Sequence, residues 1–202
     1  TSGEGYARTE LGNPWDFATS EDVYSYSGIT APRFSDGVLS ATSLDQDTKN
    51  DCSGGWENPY LNLLDDEYWD GDADPPIDVT KYRYLTFRLR LDGVPDISYG
   101  WIARVVWSNF EFKNCGITND IPLHQGWNEV SLDLWDKRII DDEDPCQSPW
   151  QADPRRRQIR LDPLETPEST AFQIDNVRLT APDSAAQGSI FIIRYELEGS
   201  ED

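Results

Sequence analysis

The chain has 202 residues and a formal charge of −21, with 38 acids against 17 Lys and Arg. That charge excludes nucleic acid and anionic membrane surfaces as default partners, since phosphate binding needs a basic stripe. The longest apolar run, Ile190–Ile193, is far too short to insert in a membrane. Eight Trp, nine Tyr and seven Phe supply large buried areas, so the chain is expected to fold as one domain with a real core.

Alternating apolar runs, with 14 Gly and 13 Pro, point to an all-β domain, a two-sheet β-sandwich with long acidic loops. Residues 1–10 read as an N-terminal tail. Strands are expected at 15–18, 37–44, 58–64, 82–91, 99–108, 127–134, 171–180 and 190–197. The 82–91 segment has the clearest pattern: Leu85, Phe87, Leu89 and Leu91 alternate with Thr86, Arg88 and Arg90. The run from Trp101 to Trp107 is apolar on both parities. It is therefore expected to be a central strand covered on both sides, or to present one face as a binding surface. Turn signals separate the strands at Asp36-Gly37, Ser53-Gly54-Gly55, Asp92-Gly93 and Gln125-Gly126. Residues 135–169 show no pattern and read as one long loop, and 181–188 as a linker before a last strand.

In the strand expected at 171–180, Phe172 and Ile174 share one face, as do Val177 and Leu179, but the parity slips by one residue between the pairs. A strand has a side-chain period of two, so both pairs reach the core only if the chain bulges at Asp175-Asn176. A bulge there re-aims a carboxylate, a candidate cation ligand.

Three cysteines, Cys52, Cys115 and Cys146, match no metal or haem motif and lie in polar, turn-rich surroundings. One disulfide and one leftover thiol are expected, which implies an oxidising compartment; the pairing stays open. Scarce Lys beside the acid excess fits a saline habitat, calcium-rich surroundings or an extracellular surface. The absence of Met and of a signal sequence suggests a processed or excised piece.

Asp70, Asp72 and Asp74 resemble the start of an EF-hand, but Pro75 stands at the sixth loop position and Lys81 at the twelfth. The single histidine, His124, has no nucleophile partner, and no phosphate loop or dinucleotide fingerprint is present. A non-catalytic chain is therefore expected. The aromatics carry more. Trp56, Tyr60, Tyr68, Trp69, Trp135 and Trp150 lie in or beside polar segments. Such rings either pin loops to the sandwich or stack on the apolar face of a sugar, with Arg88 or Arg104 and nearby acids bonding its hydroxyls.

Four motifs occur in order: Leu11-Gly-Asn-Pro-Trp-Asp-Phe17, Ile77-Asp-Val-Thr-Lys-Tyr-Arg-Tyr-Leu-Thr-Phe-Arg-Leu-Arg-Leu91, Gly126-Trp-Asn-Glu-Val-Ser-Leu-Asp-Leu134 and Phe172-Gln-Ile-Asp-Asn-Val-Arg-Leu179. Together they resemble jelly-roll carbohydrate-binding modules of the galactose-binding-like superfamily, over about residues 11–180. The resemblance implies an antiparallel jelly roll, a polysaccharide or glycan partner, and a structural Ca²⁺ shared by the first strand and the last. Carried onto this chain, it nominates Asp16 and Asp175 as metal ligands. It also implies an extracellular or cell-surface module of a larger protein, with residues 181–202 leading into an immunoglobulin-like domain. The alternative is a structural domain of a surface assembly, which would contact neighbouring subunits and bind no sugar.

Overall fold

The computed structural model describes residues 5–44, 59–64, 74–94, 100–109, 115–136, 148–153, 155–156, 158–165 and 169–182. The strands in chain order are β1 (Ser25–Ser27), β2 (Ile29–Ser35), β3 (Val38–Ser43), β4 (Tyr60–Asn62), β5 (Ile77–Asp78), β6 (Tyr84–Asp92) and β7 (Trp101–Ser108). They continue as β8 (Gly116–Ile117), β9 (Ile121–Leu123), β10 (Gly126–Asp133), β11 (Arg155–Arg156), β12 (Gln158–Glu165) and β13 (Ala171–Thr180). Sheet A runs β1-β4-β12-β7-β8, with β9 also on β7; sheet B runs β10-β6-β13-β3-β2. Both are antiparallel, and a two-strand ribbon joins β5 to β11. This is the expected jelly-roll sandwich.

Period-two patterning builds the core. Leu85, Phe87, Leu89 and Leu91 of β6 face inward beside Phe172, Ile174, Val177 and Leu179 of β13. Sheet A answers with Leu61, Trp101, Ala103, Val105, Trp107, Ile159, Leu161 and Leu164. The register of β13 on β6 shifts between Ile174 and Asn176, so Asp175 is the unpaired residue of a bulge, where the parity slip requires one. β12 has a comparable shift between Asp162 and Glu165 against β7.

Three expectations are corrected. No strand forms at 15–18: the segment bends, with Phe17 in the left-handed region (φ 57°), while Trp15 and Phe17 are buried in the core. Residues 5–10 are not a tail either. Tyr6 is fully buried, its hydroxyl donates to the Pro75 carbonyl, and Ala7–Leu11 forms a helical turn closed by Gly12 at φ 73°. Thirdly, the stretch 135–169 is not one long loop, because it contains β12, a central strand of sheet A. The strand expected at 190–197 lies outside the described residues.

Candidate functional site

The outer face of sheet A gathers the polar and aromatic groups. Inward-facing Leu61, Ile159, Leu161, Ala103 and Val105 put Tyr60 and Asn62 of β4, Gln158, Arg160 and Asp162 of β12, and Arg104 of β7 on the opposite face. Arg160 pairs with Asn62 across one ladder and Asp162 with Arg104 across the next. One further step along the first ladder sets Tyr60 level with Asp162. These side chains sit on adjacent rungs, and hydrogen bonds between the rungs join them into two rows.

The first row is a chain of hydrogen bonds. Ser108 Oγ donates to Gln158 Oε1 at 2.9 Å, Gln158 Nε2 to Asn62 Oδ1 at 3.2 Å, and Asn62 Nδ2 to Ser25 Oγ at 2.9 Å. The second row is charged. Arg160 grips Asp162 in a bidentate pair, Nε to Oδ1 at 2.5 Å and Nη2 to Oδ2 at 2.6 Å, and stacks 4.5 Å from the centre of the Tyr60 ring. Arg104 donates to Asp120 through Nε at 2.8 Å and to Glu165 through Nη1 at 2.7 Å. Ile102 and Val106, half-buried, flank Arg104 on the same face.

Asp162 is 1% exposed although it lies on an outer face. Burial pushes its carboxyl above the usual range, against the pull of Arg160 and Arg104. Burial also raises Glu165, with Arg104 opposing. Burial works to lower the Arg160 guanidinium, but the Asp162 bond together with the charges of Asp162, Tyr60 and Glu165 outweighs it and holds it above its ordinary value. Two arginines thus face three acids: each acid has an arginine partner within the face, and one negative charge is in excess.

Of the residues singled out from the sequence, the structure brings Tyr60 and Arg104 to this face. Arg88 lies on the outer face of sheet B, where its guanidinium pairs with Asp175, sits 3.4 Å from Glu129 and stacks 4.7 Å from the Trp127 ring. Trp135 follows β10, 38% exposed, under Arg83 at 4.3 Å, with Nε1 donating to the Val79 carbonyl at 3.3 Å. Trp150 is a correction. It is fully buried, packs edge-on against Trp107 at 5.8 Å and donates from Nε1 to the Tyr82 carbonyl at 2.9 Å, so it pins its loop to the core and offers no ring to a ligand. Trp56, Tyr68 and Trp69 lie outside the described residues, as do Cys52 and Cys146. Sequence reasoning missed Asn62, Gln158, Arg160, Asp162 and Glu165. The Arg160-x-Asp162 spacing, which places both on one face of a strand, was the available signal.

Asp16 is exposed and accepts from the Ala18 amide at 3.2 Å through Oδ1. Its segment does reach the last strand, since the Trp15 carbonyl accepts from the Val177 amide at 3.0 Å. The Asp175 carboxylate, however, is engaged by Arg88. Among the described residues, no three His, Cys, Asp or Glu side chains are grouped as metal ligands, and no helix is long and apolar enough to cross a membrane.

No family model and no curated protein matches the sequence. Solved structures do match the chain. A point variant of a family 29 carbohydrate-binding module matches at a TM-score of 0.46 and 12% identity, over 79% of this chain and 81% of that one. Another variant of such a module, complexed with cellulohexaose, gives 0.46 and 13%, over 79% and 80%. An agarase gives 0.53 and 9%, over 84% of this chain but 24% of its own. The likeness is one of fold.

Proposed function

We propose that this chain is a non-catalytic carbohydrate-binding module that holds a neutral polysaccharide across the outer face of sheet A, as part of a larger extracellular or cell-surface protein. One observation carries the reading: Tyr60 lies beside two rows of side chains already fixed by hydrogen bonds to one another, Ser108–Gln158–Asn62–Ser25 and Arg160–Asp162 with Arg104–Glu165. An aromatic ring offers a surface for the C–H face of a sugar. Amides, guanidinium edges and carboxylates offer donors and acceptors to its hydroxyls. Because these groups are held before the ligand arrives, little ordering entropy remains to oppose binding.

The charge of the face selects the ligand class. Its arginines are matched by Asp120, Asp162 and Glu165, so a uronate or sulfate would have to displace a carboxylate to reach a guanidinium. The net charge of −21 adds repulsion. Neutral hexose polymers meet neither barrier. The agarase match supports the module reading, since that protein carries a comparable fold as a fraction of its chain.

Affinity electrophoresis through gels containing agarose, galactomannan or hydroxyethylcellulose, against alginate and pectate, tests the proposal. Retardation by at least one neutral polymer is expected, abolished by Tyr60→Ala. Free migration through every gel would overturn the reading.

A further inference from the structure

Sheet B has an outer face of its own, and its registers assemble one rung across all five strands. Trp127 of β10 stands opposite Arg90 of β6, and Arg90 opposite Gln173 of β13. Gln173 stands opposite Ser40 of β3, and Ser40 opposite Arg33 of β2. The next residues along these strands, Asn128, Leu89, Ile174 and Leu39, are buried, so the rung lies on the outer face. Four strand spacings make it about 19 Å long. Gln173 Nε2 donates to Ser40 Oγ at 3.3 Å, and the Arg88 guanidinium holds the Trp127 ring at 4.7 Å.

The charges on this face run opposite to those on sheet A. Arg88 is matched by Asp175 and Glu129, and Arg90 by Asp92. Arg33 ends the rung, and Arg178 stands two rungs away, opposite Thr86; both are exposed. Neither makes a hydrogen bond or ion pair among the described residues. Four arginines therefore meet three acids, and one positive charge is in excess.

We propose that the outer face of sheet B binds an anionic polysaccharide, with its sulfate or uronate groups on Arg33 and Arg178 and a sugar ring on Trp127. A guanidinium without a counterion keeps its whole fork of donors for an oxyanion. Gln173 and Ser40 offer donors and acceptors to hydroxyls, and the indole offers its face to sugar C–H groups. A protein partner fits less well: the rung carries one ring among four polar side chains, and a protein interface needs an apolar core. The net charge of −21 weakens long-range attraction. Charges beyond about 8 Å are largely screened at physiological ionic strength, however, so the local excess governs contact. The inference is independent of neutral-glycan binding on sheet A, whose arginines are already engaged.

The test is affinity electrophoresis in polyacrylamide containing dextran, dextran sulfate or carboxymethyl-dextran, three polymers with one backbone. Retardation beyond that in plain dextran is expected from one or both charged polymers, and the two arms separate sulfate from carboxylate recognition. It should weaken as NaCl is added. Combining Arg33→Ala with Arg178→Ala should weaken the binding about tenfold or more, with an unchanged melting midpoint because both sites are exposed. Arg8→Ala, at an exposed arginine of the first helical turn, should leave it intact. No retardation beyond plain dextran would overturn the proposal, as would undiminished retardation of the double variant or an equal loss in Arg8→Ala. Polyglutamate retarding the chain where neither charged dextran does would also overturn it, and would assign the face to an acidic protein.

Discussion

At the scale of single residues, rings that look alike in the sequence have different fates. Tyr60 and Trp150 both border polar segments, yet one lies on an outer sheet face and the other is fully buried. Local pattern separates strand from loop but not covered from uncovered. Trp150 packs edge-on against Trp107, whose other neighbours are as close: a methyl group at Gly116 would collide with the Trp107 ring and the Ser148 carbonyl. Those partners are distant in sequence, so nothing near Trp150 announced them. Two outcomes follow. Tyr60→Ala should weaken glycan binding about tenfold or more, measured by affinity electrophoresis, with an unchanged melting midpoint. Trp150→Ala should instead cost about 3–5 kcal/mol in denaturant unfolding. Asp162 illustrates a second blind spot. A carboxylate in an Arg-rich stretch reads as solvated charge, whereas here it is buried under a bidentate guanidinium. Asp162→Ala leaves Arg160 without its partner and should cost about 3–5 kcal/mol, a loss that chemical denaturation would detect.

At the scale of elements, regular alternation was legible and interrupted alternation only partly so. β6 is read directly from its Leu and Phe spacing, and the slip in β13 located its bulge to the pair Asp175-Asn176, of which Asp175 is the unpaired residue. The same device in β12 went unread because Pro163 and the surrounding charges mask the switch from Ile159 and Leu161 to Leu164. β2 was hidden likewise, by Pro32 and by a register shift between Thr30 and Arg33 that puts Ala31 at φ 45°. Deleting Asp175 should remove the bulge and leave Phe172, Ile174, Val177 and Leu179 in unbroken alternation on the core; a retained cooperative melt is expected, and its loss would contradict the assignment. Gly116→Ala should cost about 1–3 kcal/mol through overpacking, read from urea unfolding. The first helical turn is tied down by Glu10, which accepts from Lys81 Nζ at 2.8 Å and the Tyr82 hydroxyl at 2.7 Å. The Lys81 bond, followed by that of Tyr82, holds the Glu10 carboxyl below its ordinary range. A lowered folded value gives stability above the unfolded pKa and loses it as pH falls. Glu10→Gln should therefore melt earlier at neutral pH and coincide with the parent in strong acid.

For the whole molecule, charge and closure dominate. With −21 to confine, the fold works against its own repulsion, so adding NaCl at pH 7 should raise the melting midpoint. Asp162 and Glu165 act in the same direction. Their carboxyls are raised by burial, so their contribution is complete below the unfolded value and is lost as pH climbs through the folded one. Differential scanning calorimetry should show stability declining from mildly acidic pH toward neutrality, less steeply in high salt. The architecture was legible because strand periodicity is local, while the candidate face required knowing which strands become neighbours. The bulge in β13 has one more consequence. Before it, Ala171–Ile174 pair with β3; after it, Val177 gives its amide to Trp15 instead. The strand changes neighbour at Asp175, and its new neighbour comes from the opposite end of the chain. A nascent chain emerging from a ribosome cannot make that bond until nearly the entire domain has been synthesised. The Trp15 side of β13 therefore closes late, and until it does the part after the bulge, Asn176 to Leu179, is a template for other strands on that side.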